Sequence, residues 1–564
     1  MRPLAAVALS LLSAIPLVAQ DKLVETIEVK VVNVDVVVTD RSGKAITGLT
    51  KDDFELFENG KPQAITNFYE IMPEQHVVIR TGTTESAPSA PSTAAAPPAA
   101  AAAPEDIRAR RFVFLIDNYS MEPSQRNKTL AAMRKFIDTN FKQGDEAALY
   151  IWSRKAEQIS PLTKDKDAIL KGIDTTLARS RSGMSAIEEE GRTRQTCSEI
   201  MMEVDGSHMT WDQAWLHCQG GVRAFTQSVW DNESTLLKDM KGIVSTLGGV
   251  DGRKVLVLAG AHLPEHPGRE TMLWAAQQFE QHLPKGSQLV TRAMSEGNGR
   301  SQTLAITDVA NFANANGVAF YTIDAADQRN ESGAESPTMS DATDSFMSFS
   351  DTASAFKALA DITGGAALSG TQNFEVAFQT LTRDLTTFYS IGYKPAEGTA
   401  ASRKISVRTK KSGLTVRARR SYTPKSSDQE MNDRVVANLF HQPAQSEWPI
   451  TLTAKTPEKN GDRFTVPVTI AMQPNITLIP QEKNLVGGFI LYIVVGTKDG
   501  AMSKVTKNAR KIEIPANAEA DLRSKPMTFT LMLSVKPGDS VVSVGVTDQI
   551  SEATGFDRVQ VSAQ

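Results

Sequence analysis

The sequence predicts a multidomain chain of α/β plus all-β class. A doubly wound α/β domain lies between a small N-terminal β-domain and a C-terminal β-sandwich. Three observations carry this. At 564 residues the chain is too long for a single hydrophobic core. Between about 108 and 424, short and wholly apolar strands alternate with helices that are apolar on one face, the pattern of a parallel sheet covered on both sides. From about 433 to 564, six or so short strands follow one another with turn dipeptides such as Asn460-Gly461 and Asp499-Gly500 between them.

In chain order, Arg2 precedes an apolar run from Leu4 to Val18 interrupted by Ser10, Ser13 and Pro16, with Ala19 as a small residue for cleavage. The run suits a signal peptide over 1–20 and is too short to span a bilayer. No later stretch offers eighteen apolar residues, so the expectation is an exported protein, periplasmic or at the cell surface, with no membrane-spanning segment. The small β-domain is expected over 21–75, with an alternating strand through Val32, Val34, Val36 and Val38 and a hairpin turn at Asn59-Gly60. A linker follows over 76–107. Its central stretch, Ser86 to Pro104, contains only Ala, Pro, Ser and Thr and has nothing to bury.

Inside the α/β domain, strands are expected at Arg111–Ile116, Ala147–Trp152, Lys254–Leu258 and Val318–Ile323, with a fifth at Thr387–Tyr393. Helices fall at Asn127–Asn140, Asn232–Leu247, Arg269–His282 and Thr303–Ala315. An insertion near 179–230 carries Cys197 and Cys218, the two cysteines of the chain. In an oxidising compartment a disulfide between them is the leading expectation, and two buried thiols the alternative. Zinc would need four convergent ligands, and the spacing to His208 and His217 matches no common finger.

The net charge of −4, from 61 basic and 65 acidic side chains, gives no support to nucleic-acid binding. No Gly-x-Ser-x-Gly elbow is present. His262 and His266 are four apart, but Pro264 and Pro267 break the helix that such metal spacing needs, so they are read as a surface loop. Glu188-Glu189-Glu190 is read as a solvated helix end. Trp211, Trp215 and Trp230 are read as packing onto the main domain, with a partner-binding patch as the alternative.

Three groups of residues together are similar to the von Willebrand factor A-related proteins of the acidobacterial type, over roughly residues 28–424. They are the strand ending in Asp40 with Gly48–Lys61, then Arg111–Asp117 with Gly144–Ala148, and finally Leu359–Gly365 with Leu385–Tyr393 and Gly413–Tyr422. The resemblance implies a von Willebrand type A-like α/β domain. It also implies a site at the carboxyl ends of the strands, where Asp-x-Ser-x-Ser, a Thr and a later Asp hold Mg²⁺ or Ca²⁺. Against that pattern Asp117 stands first, but Tyr119 and Met121 replace the serines and Ser120 is one position out of phase. Met184 or Ser185 stands for the Thr, and Ala259-Gly260-Ala261-His262 stands where the Asp is expected. Asp117 and Ser120 are thus the remaining candidate Mg²⁺ or Ca²⁺ ligands, and no cofactor is expected. The sequence points to an exported, non-enzymatic, adhesion-type protein that binds a protein or envelope surface ligand through this domain. The alternatives are a metal-dependent ligand binder and a hydrolase with an inter-domain site.

Overall fold

The computed structural model describes residues 31–72, 78–79, 109–179, 185–205, 209–326, 342–368, 374–395, 402–441, 446–497 and 501–563. The expected signal peptide, most of the linker and Met184 lie outside them.

The chain opens with β1 (Val32–Thr39), β2 (Phe54–Glu58), β3 (Lys61–Gln63), β4 (Ile65–Ile71) and β5 (Val78–Ile79). The α/β domain follows as β6 (Arg110–Asp117), α1 (Pro123–Asn140), β7 (Glu146–Trp152), β8 (Ala156–Thr163), α2 (Lys166–Ala178), α3 (Ala186–Asp205), α4 (Trp211–Leu247) and β9 (Arg253–Gly260). It continues through α5 (Arg269–Glu280), α6 (Leu289–Gly299), α7 (Thr303–Ala315), β10 (Val318–Asp324), α8 (Ala342–Thr363), β11 (Ala366–Leu368) and α9 (Phe374–Thr386).

Its sheet runs β11-β10-β9-β6-β7-β8, parallel except for β8 at one edge. Successive side chains of β6 point to opposite faces, and both faces are covered. Phe112, Phe114 and Ile116 pack with Leu130, Phe136 and Phe378 from α1 and α9. Val113 and Leu115 pack with Leu236, Met240 and Ile306 from α4 and α7. This two-sided burial is why the strand reads as an unbroken apolar run. Numbered within the sheet, the order is 3-2-1-4-5-6, so the direction of winding reverses between β6 and β9; in open α/β sheets the crevice for a ligand lies at the carboxyl ends of such a strand pair.

Two expectations are corrected here. Phe388–Tyr393 (β12) is not a strand of the parallel sheet, because it pairs antiparallel with β1 and β4. The edge position is taken by β11, whose three residues are too few to show a pattern. The N-terminal β-region is also not confined to 21–75. Strands β13 (Arg403–Thr409), β14 (Thr415–Ala418) and β15 (Ser421–Tyr422) complete two sheets with it, β14-β1-β12-β4-β5 and β15-β13-β2-β3. The physical reason is burial on both sides of β12. Tyr389, Ile391 and Tyr393 enter the core with Val34, Val36 and Phe54, while Phe388 on the other face lies 4.0 Å beneath the Arg253 guanidinium. A doubly buried strand looks the same in sequence whichever sheet it joins. Val78–Ile79, placed in the linker by the sequence, pairs with Tyr69 and Glu70.

Buried polar groups fix this union of distant segments. The Glu58 carboxylate accepts from Tyr393 Oη at 2.9 Å and from Arg403 Nη1 at 3.0 Å. After β15, α10 (Ser427–Phe440) begins with a capping box between Ser426 and Gln429, and it overlaps the start of the region read as all-β. Beyond it, strands between Ile450 and Ala563 form two antiparallel sheets. Val466, Val468 and Ile470 of one face Leu491, Val544 and Val546 of the other across an apolar core.

The insertion is an α-hairpin of α3 and α4. Cys197 and Cys218 join its arms as a disulfide with Cα atoms 4.9 Å apart. Helix α4 runs 37 residues, well beyond the Asn232–Leu247 expected. Trp211 stacks on His282 at 3.8 Å and Trp215 contacts Phe279, so both pack against the α5 region.

Two outcomes are expected. Protein cleaved within Ser86–Pro104 keeps its N-terminal fragment through native size-exclusion chromatography, because β1 lies between β12 and β14; separate elution of that fragment would contradict the topology. Non-reducing peptide mass spectrometry recovers a Cys197–Cys218 cross-link, and two alkylatable thiols in the native protein would rule it out.

Candidate functional site

The crevice between β6 and β9 is where an open doubly wound sheet takes a ligand. Asp117, the last residue of β6, is 2% exposed, and its Oδ1 accepts the backbone N–H groups of Tyr119 at 3.0 Å and Ser120 at 3.1 Å. The Ser120 hydroxyl accepts from Ala261 N at 2.9 Å, which ties the two strand ends together. Gly260 permits this approach, since a Cβ there would meet Asp117 Cβ at 3.2 Å and Ser120 Oγ at 3.3 Å.

The structure therefore brings Asp117 and Ser120 together, but it commits them to backbone groups. Tyr119, at a ligand position of the resembling motif, turns away. Its hydroxyl donates to Glu189 Oε2 at 2.9 Å and accepts from Asn232 Nδ2 at 3.1 Å. Met121 is fully buried, and Ser185 caps α3, receiving the backbone N–H of Glu188 at 3.2 Å. These residues do not fit a Mg²⁺ or Ca²⁺ ion. One carboxylate and one hydroxyl, both engaged, fall short of the six or more oxygens such ions take.

Beside Asp117 and Ser120 the switch point carries an ionic network that the sequence reading missed. His262 is not in a solvated loop. Its side chain is 18% exposed, and Nδ1 lies 3.3 Å from Oε1 of Glu233 on α4. Glu190 of α3 is not a solvated helix end either, because it accepts from Arg194 Nη2 at 2.7 Å and from Thr271 Oγ1 at 2.9 Å. Glu270, in the first turn of α5, is 4% exposed, and its Oε1 has no hydrogen-bond partner among the described residues. Asp351 of α8 accepts from Arg269 Nη2 at 2.9 Å and contacts His266 Nδ1 at 3.2 Å.

Ionisation follows from this crowding. Burial raises Asp117 to about 6 and, against the pull of His262, raises Glu233 and Glu270 to about 7. Burial on its own would lower His262, but Glu233 at contact distance, with Glu270 and Glu190 behind it, outweighs that and lifts it to about 9. Burial would raise Glu190, yet the Arg194 guanidinium holds it below its ordinary value. At neutral pH the imidazolium is thus the cation at the centre of the acids. Glu265, His266 and Asp351 offer ligand atoms all within 4.8 Å of one another, but Arg269 already occupies the Asp351 oxygen they share. Among the described residues no Ser or Thr hydroxyl hydrogen-bonds a His ring; the Ser120 hydroxyl lies between Asp117 O and Ala261 N.

One signal of the network was present in sequence. A His stands just past a strand end, where the resemblance predicts Asp, and a run of three acids stands at 188–190. What could not be seen is that α3 and α4 bring acids from distant positions onto that His.

No family model matches the chain, and no curated protein does. Solved structures similar to it include the von Willebrand factor domain of the type V pili tip protein Mfa5 from Porphyromonas gingivalis, at 12% identity over 49% of this chain and 94% of that one, TM-score 0.25. A von Willebrand factor type A protein from Catenulispora acidiphila is similar at 8% identity over 91% and 74%, TM-score 0.24. An aerotolerance-related membrane protein from Bacteroides fragilis is similar at 8% identity over 49% and 98%, TM-score 0.22. The strand order and the position of the switch point describe a doubly wound α/β domain in this chain.

The network makes stability fall as pH rises. Groups whose folded pKa is raised contribute stability that is fully present below their ordinary values and lost as pH passes the folded ones. For Asp117, Glu233, Glu270 and His262 that loss is spread from about pH 4 to about 9. Thermal melts between pH 6 and 9 are expected to show a decreasing midpoint. His262→Gln is expected to cost about 3 kcal/mol at pH 7, the order seen when one partner of a buried pair is removed. A midpoint that rises over that range, or a neutral substitution, would contradict the network.

Proposed function

We propose that this chain is an exported, non-enzymatic interaction protein whose von Willebrand A-like domain engages a protein or envelope partner without a metal ion. The observation that carries the reading is the committed state of Asp117 and Ser120 at the switch point, with the His262 imidazolium beside them. A divalent cation would have to displace backbone hydrogen bonds and approach an existing positive charge. Partner binding then falls to the surfaces around the crevice. The apolar N-terminal run and the Cys197–Cys218 pair support an oxidising location outside the cytoplasm.

The Pro/Ala linker does not join two independent modules in this reading. The strands before it are held by β12 and β14 from beyond the α/β domain, so the binding surface is presented on one body.

A metal test separates this from a cation-dependent binder. A working site gains about 2.7 kcal/mol at a hundredfold excess of cation over its dissociation constant, which raises the melting midpoint by several degrees. Millimolar Mg²⁺ or Ca²⁺ is expected to move the midpoint by less than about 1 °C on that scale. A shift of several degrees, abolished by Asp117→Ala, would overturn the proposal.

A further inference from the structure

The insertion creates a second surface that neither the crevice nor its network uses. Between the N-terminal half of α4 and the α5–α6 pair lies a groove of about 780 Å³, within the range of small-molecule sites. Its floor is apolar, built from Trp215, Val222, Met272, Leu289 and Ala293, of which the last four are buried. Leu216 also lines the groove and is 64% exposed.

The charges on the rim are not balanced. Arg223 and Arg300 share Glu296, at 3.5 and 3.8 Å. Lys285 and Arg292 also line the groove, are exposed, and have no carboxylate partner among the described residues. Against these two cations the groove offers one unpaired acid, Asp212. An apolar floor beneath two free cations matches a molecule with an apolar body and an anionic end.

We propose that the groove between α4 and α5–α6 binds an amphipathic anion, an aliphatic or aryl carboxylate or sulfonate. The apolar body lies on Trp215 and Leu289, and the charged end lies between Lys285 and Arg292. The Cys197–Cys218 link holds α4 against α3 and so fixes one wall of the groove. This inference is independent of whether the switch-point crevice binds a metal.

The full chain is titrated with anilinonaphthalene sulfonate, and bound dye is competed with laurate and with dodecyltrimethylammonium, both well below micelle formation. Saturable dye binding is expected, displaced by laurate and not by the cation of equal tail length. Lys285→Glu with Arg292→Glu is expected to weaken dye and laurate at least tenfold, while Lys285→Arg with Arg292→Lys retains binding. Both pairs are at exposed positions, so circular dichroism should be unchanged; Leu216→Asn is a further variant expected to weaken binding severalfold. Absence of saturable dye binding, equal competition by the cationic detergent, or unchanged affinity in the charge-reversed protein would each overturn the assignment.

Discussion

The α/β domain is governed by one electrostatic constraint, the need to compensate buried carboxylates at the switch point of its sheet. The buried Asp117, Glu233 and Glu270 and the partly exposed Glu190 approach the carboxyl ends of β6 and β9 from four different elements. In a low-dielectric site their mutual repulsion is severe, and each must be protonated or paired. His262 is the group they share, and Arg194 and Arg269 take Glu190 and Asp351. The long α4, the α3 hairpin arm and the first turn of α5 are all anchored through that network. The protonated ring of His262 is thus the cation that the acids at the ends of β6 and β9 have in common.

A second set of polar contacts joins the α/β domain to the sheets formed by the two flanking segments. Arg253 at the start of β9 pairs with Asp35 of β1 at 3.3 Å while its guanidinium covers Phe388. Arg417 of β14 pairs with the fully buried Asp384 and donates to Gly365 O at 2.8 Å. Asn314 of α7 reaches the Ser421 hydroxyl at 2.8 Å. These bonds run from both faces of the α/β domain into strands that precede and follow it. They explain how residues more than three hundred positions apart, such as Glu58 and Tyr393, come to share a hydrogen bond.

Much of this was legible in the sequence because periodicity reports burial directly. Phe112 to Ile116 and Val255 to Leu258 read as doubly covered strands and are so, and Leu130, Met133, Phe136 and Ile137 mark one helix face and lie in one core. Periodicity does not report pairing partners, which is why Phe388–Tyr393 was given to the wrong sheet. It is also blind to a strand as short as Ala366–Leu368. At the site, Asp117 and Ser120 were legible from their place after β6. His262 was not, because Pro264 and Pro267 argued correctly against a helix, but a loop can be buried when helices close over it. Glu233 carried no signal at all, since one acid on a 37-residue helix looks like any solvated one.

The central claim, that a protonated His262 compensates the buried carboxylates at the switch point, is tested most directly by the ionisation of His262 itself. Imidazole ring shifts of the histidine-labelled full chain, assigned with His262→Gln, are followed by NMR from pH 5 to 10 in the presence of a chelator. His262 is expected to titrate well above the ordinary imidazole value, near 9, and to be unchanged by added Mg²⁺. Titration at or below about 6.5, the unperturbed imidazole value, or a fall in its pKa when Mg²⁺ is added, would contradict the account.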